Sequence, residues 1–391
     1  MKRRSAHVHV HGYAALKEGG SMKPVQFDRE PVRAGEVAID ISHCGVCHSD
    51  FHQVKNDWDN SVYPCVPGHE IVGRVTEVGE GVSRFKAGDR VGVGCMINSC
   101  RECDACRRGE EQYCSGPKGA TMTYNGPIKP DGTNSYGGYS SAIIVREEFV
   151  LSIPEAISDA EAAPILCAGI TTYQPMKHWG VKAGQRVGVA GIGGLGHMAI
   201  QIARALGAEV VALTTDAEKE PLAKELGASQ TIAMDDDAAL EGAKESLDFL
   251  ISTIPYPHDF NPYVELMKAD GKMVIVGNLI EFEDIQMSNV VMKRLVIAGS
   301  AIGGIGDTQE VLDFCARTGV RPRIELIAME DIDEAFDRAK DEEVHFRSVI
   351  DMATLQKDAD AKEIDTPVRG EVVNRATQPK ATEPADVLVE A

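Results

Sequence analysis

The densest chemistry in the chain lies between Cys95 and Cys114, where Cys100, Cys103, Cys106 and Cys114 follow at C-x2-C-x2-C-x7-C spacing. Four thiolates this close can complete a tetrahedral shell around one Zn²⁺, the form that structural sites take. The competing reading, a disulfide pair, needs an oxidising compartment. The opening MKRRSAHVHV is basic but leads into no apolar run, so no secretory leader is legible and a cytoplasmic protein is expected. A closed site of this kind says little about reaction chemistry. It sends the search toward a second, open one.

Such a site is offered upstream. In ISHCGVCHSDFHQVKNDW, Cys47, His48, Ser49, Asp50 and His52 crowd together, and PGHE adds His69 and Glu70. Cys47 with His69 is the first pair to choose, because a mixed thiolate and imidazole set suits a catalytic zinc with three protein ligands and one open position. His7, His9 and His11 alternate on the first strand pattern. They are metal ligands by type, but a solvated strand face is the expectation there.

The elements that must position these groups fall into two kinds. Residues 6–150 read mainly as strand and turn, with VAIDIS (37–42) and the Val/Ile-rich EIVGRVTEVG (70–79) as examples. From about residue 180, QRVGVAGIGGLGHMAIQIARALGAEVVALTT reads as strand, glycine turn, helix, strand. Val187, Val189 and Ala190 lead into Gly191-x-Gly193-Gly194-x-Gly196. Ala199, Ile202, Ala203 and Leu206 then recur at helical spacing, and Val210 to Leu213 form the next strand. The glycines allow a tight turn and let a pyrophosphate approach the helix N-terminus. LDFLIST (247–253), GKMVIVG (271–277) and LVIAGS (295–300) add the short apolar runs of parallel strands. After Ile305 one more helix (TQEVLDFCART) and a final strand (HFRSVIDM) are expected. From about Ala353 the chain is polar, studded with Pro and without aromatics, which reads as a disordered tail or, alternatively, an arm docking on a partner subunit.

The bulk numbers exclude several classes. A chain of 391 residues exceeds one core, so two domains are expected. With 60 acidic against 40 basic residues and a net charge of -20, no nucleic-acid partner is expected. No run approaches the ~20 apolar residues that span a bilayer, so no membrane segment is expected.

Taken together, CGVCHSD, PGHEIVGRVTEVG, the four-cysteine lobe and GIGGLGH resemble the zinc-containing medium-chain dehydrogenases. PILCAGITTY and HQVKNDW narrow the resemblance to the cinnamyl alcohol dehydrogenase branch, with its bacterial broad-range aldehyde reductases. It runs from about Gly12 to Asp351. It implies an α/β protein with a GroES-like β-barrel catalytic domain (1–166, carrying the zinc lobe 95–114) and a doubly wound, parallel-sheet Rossmann domain (167–304). Residues 305–351 would return to the catalytic domain, and 352–391 would form the tail.

The same resemblance implies the site. Cys47, His69 and Cys167 become the catalytic zinc ligands, with Cys100, Cys103, Cys106 and Cys114 holding the structural zinc. Glu70 stands where it can approach the metal, and Cys44 is a non-ligand despite its C-x2-C spacing to Cys47. Ser49 and His52 are implied as a proton relay running from substrate oxygen through Ser49, the cofactor ribose and His52 to water. The cofactor residues are Thr171, Gly191, Gly193, Gly194, Leu195, Gly196, Thr214, Thr215, Lys219, Thr253, Val276, Gly277 and Ser300. Trp58, Cys95 and Ile302 are implied as substrate-pocket walls, while Cys65 and Cys315 read as plain buried thiols.

An NAD site ends its second strand in an acid that takes the ribose 2′-OH. Here Thr214 stands at that place, and with Thr215 and Lys219 it resembles the set that receives the 2′-phosphate of NADP(H). Asp216 departs from the pattern, since a carboxylate repels a phosphate. The expected activity is an NADP(H)-linked alcohol dehydrogenase working as an aldehyde reductase on aromatic or medium aliphatic aldehydes, in a homodimer. An NAD-linked polyol or simple-alcohol dehydrogenase is the alternative within enzymes, and a non-catalytic nucleotide-binding protein the alternative outside them.

Overall fold

The computed structural model describes residues 7–277, 284–340, 347–357 and 361–365. The chain opens with an antiparallel pair, β1 (Val8–Ala15) and β2 (Met22–Arg29). There follow β3 (Glu36–Gly45), helix α1 (His48–Lys55), β4 (Ile71–Val78) and β5 (Arg90–Val93). In the cysteine lobe the short strands β6 (Met96–Asn98) and β7 (Thr121–Met122) bracket one helical turn, α2 (Asp104–Arg107). β8 (Ala142–Arg146) and β9 (Leu151–Ser152) then return to the main sheet. Inward residues such as Ile39, Ile71, Val91 and Ile143 alternate along these strands and are fully buried, the period-2 pattern that fixes register in a half-buried sheet.

A long buried helical segment leads out of this half. α3 (Asp159–Pro164) is capped by Ser158, whose hydroxyl accepts from the Glu161 amide, and runs through a π-helical turn at Ile165–Gly169 into α4 (Ile170–His178). Next come β10 (Arg186–Ala190), α5 (Gly196–Ala205), β11 (Glu209–Thr214), α6 (Glu220–Leu226), β12 (Gln230–Ala233), α7 (Asp237–Ala243), β13 (Leu247–Ser252), α8 (Asn261–Leu266), β14 (Met267–Ile275), α9 (Met287–Lys293) and β15 (Val296–Gly299). These six strands are all parallel, in the order β12-β11-β10-β13-β14-β15. That is the doubly wound order, whose direction reverses beside β10 and opens a crevice at the strands' carboxyl ends.

The chain then goes back. α10 (Ile305–Thr318), β16 (Ile324–Ile327), α11 (Ile332–Lys340) and β17 (Arg347–Asp351) follow. β17 pairs with β3, so the last long strand sits inside the first sheet, whose order is β16-β17-β3-β4-β5-β9 with β8 also on β3. Two differences from the sequence reading appear here. β16 and α11 were not expected: β16 is half-exposed and carries little apolar signal, and α11 buries only a narrow stripe including Ile332, Ala335 and Phe336.

The tail is the second difference. Met352–Thr354 forms a helical turn, and β18 (Lys362–Glu363) adds a parallel strand to β2. Leu355, Ala361 and Ile364 are buried, and the Tyr136 hydroxyl donates to the Asp365 carbonyl at 2.9 Å. Three buried apolar side chains and a sheet edge to pair with outweigh the polar composition. Residues 358–360 and 366–391, like His345 and Phe346 of the final strand motif, lie outside the described residues.

Candidate active site

Three segments far apart in sequence bring donors to one point. Cys47 follows β3 and caps α1, His69 precedes β4, and Cys167 lies in the π-helical turn. The Cys47 and Cys167 Sγ atoms are 3.9 Å apart, and His69 Nε2 is 3.2 Å from Cys167 Sγ. Two thiolates on one tetrahedral zinc stand about 3.8 Å apart when each Zn–S bond is ~2.3 Å. With Glu70 these donors all lie within 4.8 Å of one another, and all four residues are buried. The donor set therefore fits a zinc ion. Cys44 stays outside it, packed against Gly68 and Gly138, and burial pushes its thiol well up.

Asp50 orients this centre, a role that sequence reasoning missed. Its carboxylate is fully buried and takes four donors: the amides of Cys47 (2.9 Å) and Gly68 (3.1 Å), the Tyr139 hydroxyl (3.0 Å) and His69 Nδ1 (3.1 Å). Holding Nδ1 fixes the imidazole so that Nε2 faces the thiols, the usual outer-shell device of a metal histidine. The signal was present, in that an acid three residues beyond a helix-capping cysteine is placed to accept its amide.

Glu70 is not on the wall of the cleft. Its oxygens are buried and accept no hydrogen bond among the described residues, and Arg347 Nη2 lies 3.5 Å away. Burial pushes the Glu70 carboxyl up to about 7, with Arg347 opposing and the nearby Cys47 adding. Arg347 reaches in from β17 and donates through Nη1 to the Val46 carbonyl at 3.1 Å. It was also missed, because nothing in its local sequence marks it.

In the lobe, Cys100, Cys103, Cys106 and Cys114 form a second group within 4.8 Å, with Cys100 and Cys106 Sγ 3.9 Å apart. Amides of Cys100, Cys103 and Ser115 point at the sulfurs of Cys114, Cys100 and Cys103 at 3.3–3.4 Å. Such donors favour thiolates, and the Cys103 thiol is drawn down to about 5, first by the Cys106 amide and then by Ser115. Four thiolates and no open position fit a structural zinc. At the other cluster named in the sequence, His9 pairs with Asp28 at 2.9 Å, and no metal-holding group forms there among the described residues.

A cleft of about 700 Å³ joins the first donor set to the carboxyl ends of β10, β11 and β13. Ser49, His52, Trp58, Cys95 and Ile302 line it, as do Thr171, Gly191, Gly193, Gly194, Leu195, Thr214, Thr215, Lys219, Thr253, Val276, Gly277 and Ser300. Gly196 does not line the cleft. It lies under the turn, where a Cβ would come 2.0 Å from the Gly191 carbonyl, so its task is close packing of helix on strand. Gly191 itself has φ +87°, a value open to glycine. His197 holds the turn from below. It is fully buried, its Nδ1 meets the Gly193 carbonyl at 3.2 Å, and its Nε2 accepts from the Arg323 amide at 3.3 Å. Burial, aided by Arg347, lowers its pKa to about 3, so the ring is neutral.

Near the metal donors, Ser49 Oγ lies 3.7 Å from Cys47 Sγ. His52, one turn along α1, presents Nδ1 to Asp57 at 2.7 Å, and the Trp58 ring is centred 5.6 Å away. At the far end of the cleft, Asp216 is turned into its own backbone. Its carboxylate accepts from the Glu218 amide at 2.9 Å and stands 3.8 Å from Lys219 Nζ.

This fold and this pair of sites define a zinc-dependent, nucleotide-using dehydrogenase of two domains. Residues 33–155 match the alcohol dehydrogenase GroES-like domain, and residues 194–317 match the zinc-binding dehydrogenase domain. The aldehyde reductase YahK of Escherichia coli is 46% identical over 336 residues, 85% of this chain and 95% of its own. The NADP-dependent alcohol dehydrogenase C 1 of Mycolicibacterium smegmatis is 45% identical over 89% of this chain and 99% of its own. Among solved structures, a Helicobacter pylori cinnamyl alcohol dehydrogenase complexed with NADP(H) superposes with a TM-score of 0.83. It is 39% identical and covers 90% of this chain and all of its own. The chain belongs to the zinc-binding alcohol dehydrogenase family, in the branch of the cinnamyl alcohol dehydrogenases and aldehyde reductases.

Proposed function

We propose that this enzyme is an NADP(H)-linked reductase of aromatic and medium aliphatic aldehydes, running reversibly on the matching primary alcohols. The observation that carries the reading is the single cleft shared by Cys47, His69 and Cys167 at one end and by Thr214, Thr215 and Lys219 at the other. When bound, zinc supplies Lewis acidity toward the carbonyl oxygen, and the nicotinamide supplies the hydride. Cys47, His69 and Cys167 would hold the metal, with Asp50 fixing the imidazole. Ser49 sits on the first turn of α1 beside Cys47 and donates its hydroxyl proton to the substrate oxygen. His52, oriented by Asp57, passes protons between that end of the cleft and solvent. Trp58, Ile302 and Met122 give apolar walls that exclude water and suit an aromatic ring or alkyl chain.

The glycine turn and the ends of β10 and β11 receive the dinucleotide. Thr214, Thr215 and Lys219 then face the 2′-phosphate, and Asp216 is engaged by the Glu218 amide instead of opposing it. Reduction of cinnamaldehyde, with NADPH and NADH compared in parallel, tests this. A kcat/KM at least about tenfold higher with NADPH is expected, the effect of one charge-assisted contact to phosphate. Preference for NADH would assign Asp216 to the ribose and move the enzyme to the polyol and simple-alcohol class.

The protein is read as a cytoplasmic homodimer. Ten cysteines without a disulfide suit a reducing compartment. Among the described residues no helix is long and apolar enough to cross a membrane. Met287, Val291 and Met292 on α9 and Val296 on β15 leave an apolar face beside the edge strand of the parallel sheet. A second copy adding its own β15 there would cover both the edge and the face. Light scattering should give twice the 42.1 kDa chain mass, and a monomer would reject this assignment.

A further inference from the structure

Ile302 has a backbone φ of +37°, and it is the one β-branched residue at positive φ among the described residues. A branched side chain is a genuine outlier there, and such a conformation persists only where the surroundings over-determine it. Its side chain is the meeting point of the molecule. It packs on the core of the parallel-sheet half, on the core of the first sheet, and on the thiol cluster of Cys47, Cys95 and Cys167.

What holds the turn comes from the cysteine lobe. The Ala301 amide donates to the Tyr113 hydroxyl at 3.1 Å, and the Ile305 amide donates to Glu111 Oε2 at 3.1 Å. Between them Gly304 lies so close to the lobe that a Cβ would come 1.7 Å from the Gly109 carbonyl. Glu111 and Tyr113 precede the lobe's last sulfur donor, Cys114, directly. The lobe thus grips both ends of this strained turn.

We propose that the cysteine lobe sets substrate selectivity at a distance. Glu111 and Tyr113 clamp the Ala301–Ile305 turn, and the clamp presses Ile302 against the thiol cluster, fixing the depth of the apolar end of the cleft. Tyr113 is then a positioning residue. Releasing it lets the Ile302 wall retreat and shifts preference from slim to bulky aldehydes. The selectivity part rests on the aldehyde reductase reading above; the clamp itself does not.

The test uses the full chain in four forms: native, Tyr113→Phe, Ile302→Gly and the double variant. Tyr113 is 47% exposed, so loss of its hydroxyl leaves folding intact. Amide hydrogen exchange of the 300–305 segment should quicken about fivefold in Tyr113→Phe, the worth of one neutral hydrogen bond, with the rest of the chain unchanged. The ratio of kcat/KM for a bulky aromatic aldehyde to that for acetaldehyde should rise by about the same factor. In Ile302→Gly the strain and the wall are both gone, so adding Tyr113→Phe should change the ratio no further. Unchanged exchange in Tyr113→Phe overturns the clamp, and two additive effects on the ratio overturn its control of selectivity. If the native enzyme reduces neither aldehyde, the proposed function fails, and the exchange experiment still decides the clamp.

Discussion

Replacing Cys167 with serine should lower kcat/KM by about a thousandfold and remove one of two zinc equivalents per chain, because a weaker donor opens a site that needs all three ligands. The prediction is specific because the protein carries its own control. Cys44 is as buried as Cys167 and has the more suggestive spacing, yet it lies outside both donor groups. Cys44→Ala should therefore keep both zincs and most of the activity. Metal analysis alongside kinetics separates the two. Full zinc content in Cys167→Ser, or loss of zinc in Cys44→Ala, would redraw the site.

The largest effect on stability is expected at Arg347. Its guanidinium and the Glu70 carboxylate face each other with 4% and 0% side-chain exposure. Above the Glu70 range of about 7, where the carboxyl is ionised, removing Arg347 leaves a buried charge without a partner, which destabilises by about 3–5 kcal/mol. Arg347→Met should lose about that much in a denaturant titration. Glu70→Gln in the same chain should restore a good part of it, since no charge is then left unpaired. If the two losses simply add, the pair is not coupled and the Glu70 charge is compensated elsewhere.

The two halves were legible in the sequence to different degrees. Five of the six strands of the parallel sheet were, because they are continuous apolar runs separated by glycine and helical periodicity, as with Val187 to Ala190 and Leu247 to Ser252, whereas β12 buries only Ile232 and was not expected. Close spacing made the cysteine lobe legible as well. The catalytic set was only half legible. Cys47 and His69 stand near each other, but Cys167 joins them through a π-helical turn in an apolar helix, where local spacing carries no metal signal and only resemblance found it. Asp50 and Arg347 were visible as residue types without a direction, since what they touch depends on β3, β4 and β17 meeting. β16, α11 and β18 escaped for a simpler reason: each buries few side chains, so tertiary pairing rather than hydrophobic pattern holds it.

The position of β17 also bears on how the molecule is made. Val349 and Ile350 pair with Gly45 and Cys44, so the first half of the sequence cannot close its sheet until β17 has left the ribosome. The six-stranded parallel sheet depends on no such late arrival. During synthesis the nucleotide-binding half can be complete while the half translated before it still waits for its central neighbour. Arg347, on that same strand, reaches Glu70 beside β4, so the surroundings of Cys47 and His69 are completed only after the nucleotide-binding half has been made.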